Sequence, residues 1–204
     1  MIFTNNPVLI VFEGLDGVGK SICAKRTAEA LGAYYLKTPS GPLLNHREGI
    51  IKSFGGCQEA AQLLYLASVA NASQIVKRHL AAGQSIVLDR YLLSTLVYAE
   101  FRGSTLKIDD ALSEVIHPAD LTIFLDAPLA IRRKRICERS TVLAADDAET
   151  LSDSGDKLLR EGYRRRFELP AAGRVLTLDS SQLDIDQITC AVVAELSKQQ
   201  GERQ

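Results

Sequence analysis

The sequence predicts a three-layer α/β domain, in which roughly five parallel strands form a sheet that is covered by helices. Five short and continuous apolar runs, rich in β-branched residues, are typical of parallel strands that are buried on both faces. Longer helical patterns separate these runs, as the crossover connections between parallel strands require. The chain has 204 residues, so we expect a single domain over residues 1–204 with a substantial core.

The predicted elements follow one another from the N-terminus. The five predicted strands are Val8–Phe12, Ala33–Leu36, Ser85–Leu88, Leu121–Leu125 and Val175–Leu178. Lys20–Leu31 predicts a helix that ends at Gly32, and Glu59–Ala82 predicts a long helix that ends at Gly83. The polar and acidic segment around residues 140–156 predicts a short lid with frayed helical structure. The tail Gln199–Gln204 is predicted to be disordered.

Composition excludes several classes of protein. A net charge of −1, with 46% hydrophobic and 24% charged residues, gives no overall basic field that would attract nucleic acid or a membrane surface. No apolar stretch approaches the ~20 residues of a membrane span, and the N-terminus lacks the pattern of a signal peptide. Four separated cysteines predict neither a disulfide framework nor a zinc site. We expect a cytoplasmic protein without membrane or nucleic-acid partners.

A phosphate-binding motif lies between the first strand and the first helix. The segment Gly14-Leu15-Asp16-Gly17-Val18-Gly19-Lys20-Ser21 matches GxxxxGK[ST] in the strand–helix context that the mechanism needs. Its glycines let backbone N–H groups curl around an anion, and the helix N-terminus adds partial positive charge. Lys20 is predicted to reach the β- and γ-phosphates of ATP, and the Ser21 hydroxyl to coordinate Mg²⁺. The predicted ATP-binding residues of the loop are Gly14, Asp16, Gly17, Val18, Gly19, Lys20 and Ser21.

Charged residues near the loop suggest a second phosphate site. Asp89 and Arg90 follow the third strand, at the sheet edge that borders the ligand crevice in open α/β folds. Asp89 can help to order the Mg²⁺ shell, and Arg90 can bind a second phosphate through two parallel hydrogen bonds from its guanidinium. The alternative is a buried salt bridge at the strand end. Asp16 is either a solvated carboxylate or a group that contacts the second substrate or the metal shell.

These motifs together resemble the thymidylate kinase family of nucleoside monophosphate kinases. Phe12-Glu13-Gly14-Leu15-Asp16-Gly17 is similar to the family's FEGLDG segment, and Asp89-Arg90-Tyr91 with Ser94 and Tyr98 is similar to its DRYxxSxxAY segment. The segment from Asp120 to Pro128, followed by Arg135 and Arg139, resembles the strand and helix that lead into the family's lid. Leu178-Asp179-Ser180-Ser181 resembles the loop on the adenine side.

The resemblance implies a function and a role for each residue. It implies Mg²⁺- and ATP-dependent phosphorylation of a deoxynucleoside monophosphate, with dTMP as the first candidate, by a homodimer packed through helices near Glu59–Ala82. Arg90 would hold the acceptor phosphate, Tyr98 would sense the sugar, and Tyr65 would stack on the base or be an ordinary core residue. Residues implied at the acceptor are Asp16, Pro39, Tyr65, Val69, Arg90, Ser94, Thr95 and Tyr98, and further residues implied on the ATP side are Arg135, Arg139 and Ser180.

Three positions differ from the family pattern. Val69 stands where the family has an arginine that binds the base, which leaves the identity of the base open. The segment Lys37-Thr38-Pro39-Ser40-Gly41 replaces the common REPGG. Gly17 and Asp147 occupy the loop and lid positions at which the family places a catalytic arginine.

An arginine that neutralises the transferred phosphoryl group can be worth ~10³–10⁵ in rate, so another residue should replace it. Arg139, which precedes the lid, and Arg160, which follows it, are candidates for this catalytic role beside Lys20, Arg90 and Asp16. Arg132 shares a helical face with Arg135 and Arg139, and the alternative for this stripe is a solvated basic face. The charged residues of the lid are all acids, which we expect either to face outward or to position a metal shell.

Three functions remain open at this point. The first is phosphorylation of dTMP. The second is the same chemistry on a modified pyrimidine or another nucleoside monophosphate, for which Val69 is the argument. The third is a regulatory module that binds nucleotides and turns over slowly. Asp147 favours this interpretation, and the intact Lys20, Ser21, Asp89 and Arg90 oppose it.

Overall fold

A five-stranded parallel sheet organises residues 6–108, 112, 114–139 and 145–202, the part of the chain that the computed structural model describes. The spatial order of the strands is β2-β3-β1-β4-β5, which places the first strand at the centre. The strands are β1 (Leu9–Gly14), β2 (Tyr34–Lys37), β3 (Ile86–Asp89), β4 (Leu121–Asp126) and β5 (Arg174–Asp179). The helices are α1 (Lys20–Leu31), α2 (Gly41–Ser53), α3 (Gln58–Ala81), α4 (Leu92–Phe101), α5 (Leu129–Cys137), α6 (Ala145–Thr150), α7 (Asp153–Arg166) and α8 (Ile185–Glu202).

Two apolar cores, one on each face of the sheet, give the fold its three layers. Successive side chains of a strand point to opposite faces. Ile10 and Phe12 accordingly belong to one core, which includes residues of α1 and α8. Leu9 and Val11 belong to the other core, which includes residues of α3. Because both faces are covered, the strands are continuous apolar runs, and the predicted α/β class and parallel sheet are confirmed.

Most predicted elements are found close to their predicted bounds. Helix α1 has the predicted bounds, α3 begins one residue earlier than predicted, and every strand lies within two residues of its prediction. Helix α2 is an addition, since the segment around Pro39 was predicted only as a loop. The predicted disorder of the tail is wrong as far as Glu202, because α8 continues to that residue.

The predicted lid is only partly described. Residues 140–144 lie outside the described part of the chain. Helix α6 and the first turn of α7 account for most of the remainder of the predicted lid. Ser152 begins α7 as its N-cap, and its side chain accepts a hydrogen bond from the backbone N–H of Gly155. None of the described helices is long and apolar enough to cross a membrane.

Candidate active site

The carboxyl ends of the central strands bring the two predicted phosphate sites together. Phe12 of β1 is in register with Asp89 of β3, so the chain leaves both strands at the same edge of the sheet. Gly14 ends β1 with a φ of +139°, and a Cβ atom there would lie 2.2 Å from the carbonyl oxygen of Leu125. Only glycine allows this approach, which places the start of the phosphate loop directly beside β4.

Lys20 is enclosed within the phosphate loop at the start of α1. Its side chain is 6% exposed, its Nζ donates a hydrogen bond to the Leu15 carbonyl at 2.6 Å, and the same nitrogen lies 3.9 Å from the Asp16 carboxylate. Burial and the positive charge of Arg90 lower the pKa of Lys20 to about 7, although Asp16 opposes that change. A bound phosphate would add negative charge beside the Lys20 ammonium and so favour its charged form.

Ser21 and Asp89 place two side-chain oxygens next to each other, in an arrangement that would fit a magnesium ion. The Ser21 hydroxyl donates to Asp89 Oδ2 at 2.5 Å, and the Tyr35 hydroxyl donates to the same oxygen at 3.2 Å. Asp89 is fully buried, and its Oδ1 has no hydrogen-bond partner. A buried carboxylate oxygen without a donor is unfavourable unless a ligand satisfies it. Magnesium in nucleotide sites takes one or two protein oxygens and completes its shell with phosphates and water, which suits this pair.

A cavity of about 300 Å³ lies beside the loop, between α3 and α4. This volume is at the lower end of the range for small-molecule sites. The structure brings all the predicted acceptor residues together in its lining, namely Asp16, Pro39, Tyr65, Val69, Arg90, Ser94, Thr95 and Tyr98. The sequence reasoning did not identify five further polar lining residues, namely Arg47, Gln58, Gln62, Ser68 and Arg102. Their helices and loops are far apart in sequence, so no motif joins them.

Asp16 connects the phosphate loop to this cavity. Its carboxylate accepts hydrogen bonds from Arg90 and, at 2.7 Å, from the Tyr98 hydroxyl. Burial alone would raise the pKa of Asp16, but the positive charges of Arg90 and Lys20 lower it well below its ordinary value. Asp16 is therefore a charged member of the site, and its interpretation as a solvated loop residue is wrong.

Arg90 adopts a backbone conformation that is rare for a side-chain-bearing residue. Its φ is +71°, and such strain persists only where surrounding contacts enforce it. Two contacts do so here, because the Arg90 N–H donates to the Phe12 carbonyl at 3.0 Å and the Arg90 carbonyl accepts from the Thr38 hydroxyl at 2.7 Å. The guanidinium lies 5.4 Å from the centre of the Tyr98 ring. These contacts direct Arg90 into the cavity that also contains Asp16.

A second cavity, of about 390 Å³, lies on the other side of the loop. Its lining includes five residues predicted for the ATP side, namely Val18, Gly19, Arg135, Arg139 and Ser180. Arg135 donates to the Ser180 hydroxyl at 3.0 Å and to the Ser180 carbonyl at 2.7 Å. Arg139 is exposed and lies just after the end of α5. Its predicted catalytic role stays a prediction.

Glu13 is a buried carboxylate to which the sequence reasoning gave no role. One of its oxygens accepts hydrogen bonds from the backbone N–H groups of Tyr91, at 2.9 Å, and Ser94, at 3.2 Å. Burial raises the pKa of Glu13, and these hydrogen bonds oppose the rise. Glu13 therefore fixes the N-terminus of α4, which carries Tyr98, to the strand that carries the phosphate loop.

The arginine stripe on α5 is only partly a solvated face. Arg132 is fully buried, which the interpretation as a basic surface did not predict. Its Nε donates to the Asp16 carbonyl at 2.7 Å, and its Nη1 pairs with Asp156. The spacing of Arg132 and Arg135 placed both residues on one face of the helix. The burial of Arg132, however, depends on residues that are distant in the sequence, namely Asp16 and Asp156.

Asp156 contradicts the expectation that the acids of the lid face outward. Its carboxylate pairs with Arg132 and, at 2.9 Å, with Arg160. Asp153 follows the expectation, since its side chain is 92% exposed. The side chain of Asp147 lies outside the described part of the chain. In the described residues, no three His, Cys, Asp or Glu side chains form a group that could hold a metal ion by themselves.

Comparisons with known proteins agree in pointing to one family. A family model described as thymidylate kinase matches residues 12–191. A probable thymidylate kinase of Thermococcus onnurineus (strain NA1) is 32% identical over 208 residues, which cover 94% of this chain and 100% of the relative. A thymidylate kinase of Pelodictyon phaeoclathratiforme (strain DSM 5477 / BU-1) is 32% identical over 168 residues, which cover 76% of each chain. In fold, the chain is similar to thymidylate kinase from Candida albicans, with a TM-score of 0.69, 20% identity, and coverage of 95% of this chain and 92% of that one.

Proposed function

The chain belongs to the thymidylate kinase family, and from this premise we propose that it transfers the γ-phosphoryl group of ATP to the 5′-phosphate of dTMP. The observation that carries the proposal is Asp16, because one residue of the phosphate loop also lines the acceptor cavity. A donor bound on the loop and an acceptor bound in the cavity would meet at this residue. Such proximity is the main requirement of phosphoryl transfer, which needs little covalent chemistry from the protein.

Each charged group has a distinct part in the proposed reaction. Lys20 and the N–H groups of the loop bind the β- and γ-phosphates, and Arg90 binds the acceptor phosphate. Ser21 and Asp89 would hold Mg²⁺, which neutralises charge on the phosphates when it is bound. An oxygen of the acceptor phosphate attacks the γ-phosphorus, the bond to the β-phosphate oxygen breaks, and ADP leaves with that electron pair.

A second candidate function differs from the first in the base of the acceptor nucleotide. Val69 is 1% exposed and lies in the cavity lining, where an apolar side chain offers no hydrogen bond to a base edge. Apolar contacts discriminate far less between ligands than hydrogen bonds do. The second candidate is therefore a modified pyrimidine monophosphate, or another nucleoside monophosphate, as the preferred acceptor.

A coupled assay of ADP release across a panel of nucleoside monophosphates tests the proposal. We expect dTMP to give the highest kcat/KM, and Lys20→Ala to abolish turnover while the melting curve stays cooperative. A clear preference for another monophosphate supports the second candidate. Nucleotide binding without turnover of any acceptor supports a regulatory module instead, and turnover in Lys20→Ala close to the wild-type rate contradicts the assignment of the ATP site.

We also infer that two copies of the chain associate through α3. Leu63 on this helix is 54% exposed, which is high for a leucine on a helix that also forms part of a core. Light scattering should give the mass of a dimer for the wild type and of a monomer for Leu63→Glu. A monomeric wild type contradicts this inference.

A further inference from the structure

Successive carbonyl groups of the phosphate loop are each held by a side chain. The Gly14 carbonyl accepts from the Tyr163 hydroxyl at 3.1 Å. The next three carbonyls, those of Leu15, Asp16 and Gly17, accept from Lys20 at 2.6 Å, from Arg132 at 2.7 Å and from Arg135 at 3.4 Å. Lys20 is needed at the phosphates, but the other donors belong to α5 and α7 and can remain in place.

A held carbonyl determines where the next N–H points. The peptide bond is planar and trans, so its C=O and N–H groups point in opposite directions. Because Arg132 draws the Asp16 carbonyl toward α5, the N–H of Gly17 is turned away from α5. The contact of Arg135 with the Gly17 carbonyl acts in the same way on the N–H of Val18. Neither N–H has a partner among the described residues, as befits donors that are reserved for an anion.

Close packing of α5 against the loop supports this arrangement. Gly17 has a φ of +84°, and a Cβ atom there would lie 2.9 Å from the Arg132 carbonyl oxygen and 3.1 Å from its Cα atom. The loop therefore carries no side chain at this position, and the backbone of α5 occupies the space. The side chain of Arg132 reaches the carbonyl of the neighbouring loop residue, Asp16.

The cost of burying Arg132 argues against a role in packing alone. Its side chain has no exposed surface, and its Nη2 is buried without a hydrogen-bond partner. An unpaired buried donor is unfavourable, and an apolar side chain would fill this space without that penalty. The two nitrogens that do bind reach the Asp16 carbonyl and Asp156 of α7. Asp156 is in turn bound to Arg160, which pairs with Asp126 at the end of β4.

We propose that Arg132 is a positioning residue that orients the Asp16–Gly17 peptide, and so presents the Gly17 N–H to the phosphates of the bound nucleotide. Asp156 holds the guanidinium in the required orientation and connects it to α7. Arg132 does not itself touch the nucleotide. The proposal rests on the proposed nucleotide site of the loop, but it does not depend on which monophosphate is the acceptor.

Binding measurements on Arg132→Met, with Arg166→Met as a matched control, test this role. Arg166 is also a largely buried arginine, with 16% of its side chain exposed, and it pairs with the Glu100 carboxylate. Its Nε has no hydrogen-bond partner, and it contacts no loop residue within the part of the chain that the structure describes. We expect Arg132→Met to weaken ADP binding by ~10- to ~100-fold, the range produced by losing one charge-assisted hydrogen bond. Its affinity for dTMP should change less than ~2-fold, and Arg166→Met should retain both affinities within the same margin.

The results of these binding measurements distinguish a positioning role of Arg132 from a purely structural one. They also test that role separately from the proposed function of the protein. Equal loss of ADP and dTMP affinity in Arg132→Met, or no loss of ADP affinity, overturns the proposal. Arg132→Lys keeps a donor for the Asp16 carbonyl, so it should lose less ADP affinity than Arg132→Met. If Arg132→Met does not fold, Arg132→Lys is measured in its place, and it should still lose more affinity for ADP than for dTMP. Equal changes in the two affinities would then overturn the proposal. A wild type that binds ADP but phosphorylates no monophosphate refutes the proposed function alone, because the ADP comparison still decides the role of Arg132.

Discussion

The protonation of Lys20 makes nucleotide binding depend on pH in a defined direction. In the free protein, burial and the charge of Arg90 lower the pKa of Lys20 to about 7, so about half of the molecules carry a neutral amine at pH 7. Bound phosphates favour the ammonium form and raise its pKa. Binding of ADP should therefore take up ~0.1 proton at pH 6, ~0.5 at pH 7 and ~0.9 at pH 8.

The sign of the effect on affinity follows from the same shift. Because the pKa of Lys20 is low in the free protein and high in the complex, full affinity is present below pH 7. Affinity then falls by up to ~10-fold per pH unit as the pH rises above 7, until the pKa of the complex is reached. The Asp16 carboxylate stays ionised over this range, since its pKa is well below the ordinary value. It therefore contributes no proton of its own.

Calorimetry can measure this proton uptake directly. ADP is titrated at pH 6, 7 and 8 in two buffers that differ in ionisation enthalpy, and the difference in heat gives the number of protons taken up. Lys20→Arg is the control, because its guanidinium stays charged throughout and only the titration of ADP itself remains. Uptake that is the same at pH 6 and pH 8 after this correction would refute the reasoning.

Three further predictions concern the acceptor and the lid. Arg90→Ala should weaken dTMP binding by at least ~10-fold more than ADP binding, and calorimetry that shows equal losses contradicts its role. Val69→Arg should sharpen the preference for dTMP over dUMP in kcat/KM, unless the wild type already discriminates strongly. Arg139→Ala should lower kcat by at least ~100-fold with little change in KM, and Asp147→Arg should raise kcat. If Arg139→Ala and Asp147→Arg both retain the wild-type kcat, the positive charge at the transition state has another source.

Local patterns in the sequence were sufficient for most of the framework. The strands are buried on both faces, so their apolar runs stand out, and Gly32 ends α1 in the left-handed conformation that its sequence predicts. Helix α2 was missed because its polar and apolar residues alternate irregularly. It begins at Gly41 and Pro42, which more often indicate a turn, and none of its residues is buried.

Local sequence patterns did not predict the contacts of several residues in the candidate site. The acceptor residues followed from a family resemblance, and their shared cavity agrees with that grouping. The burial of Arg132 could not be foreseen, because its contact on the loop lies 116 positions away in the sequence. A charged stripe on a helix is normally solvated, and only the approach of α5 to Gly17 reverses that expectation. Asp156 was misplaced for the same reason, since an isolated acidic segment carries no sign of the arginines that it meets.

The close contact between Gly17 and the backbone of Arg132 also constrains how the sequence can change. A side chain at position 17 is not compatible with the present position of α5. Replacing Gly17 alone would make the new side chain clash with the backbone of α5. Moving α5 away alone would leave a cavity beside Gly17, so the two changes have to occur together. The two positions should therefore be strongly epistatic, so that a substitution at Gly17 is tolerated only in a background whose α5 has already withdrawn from the loop.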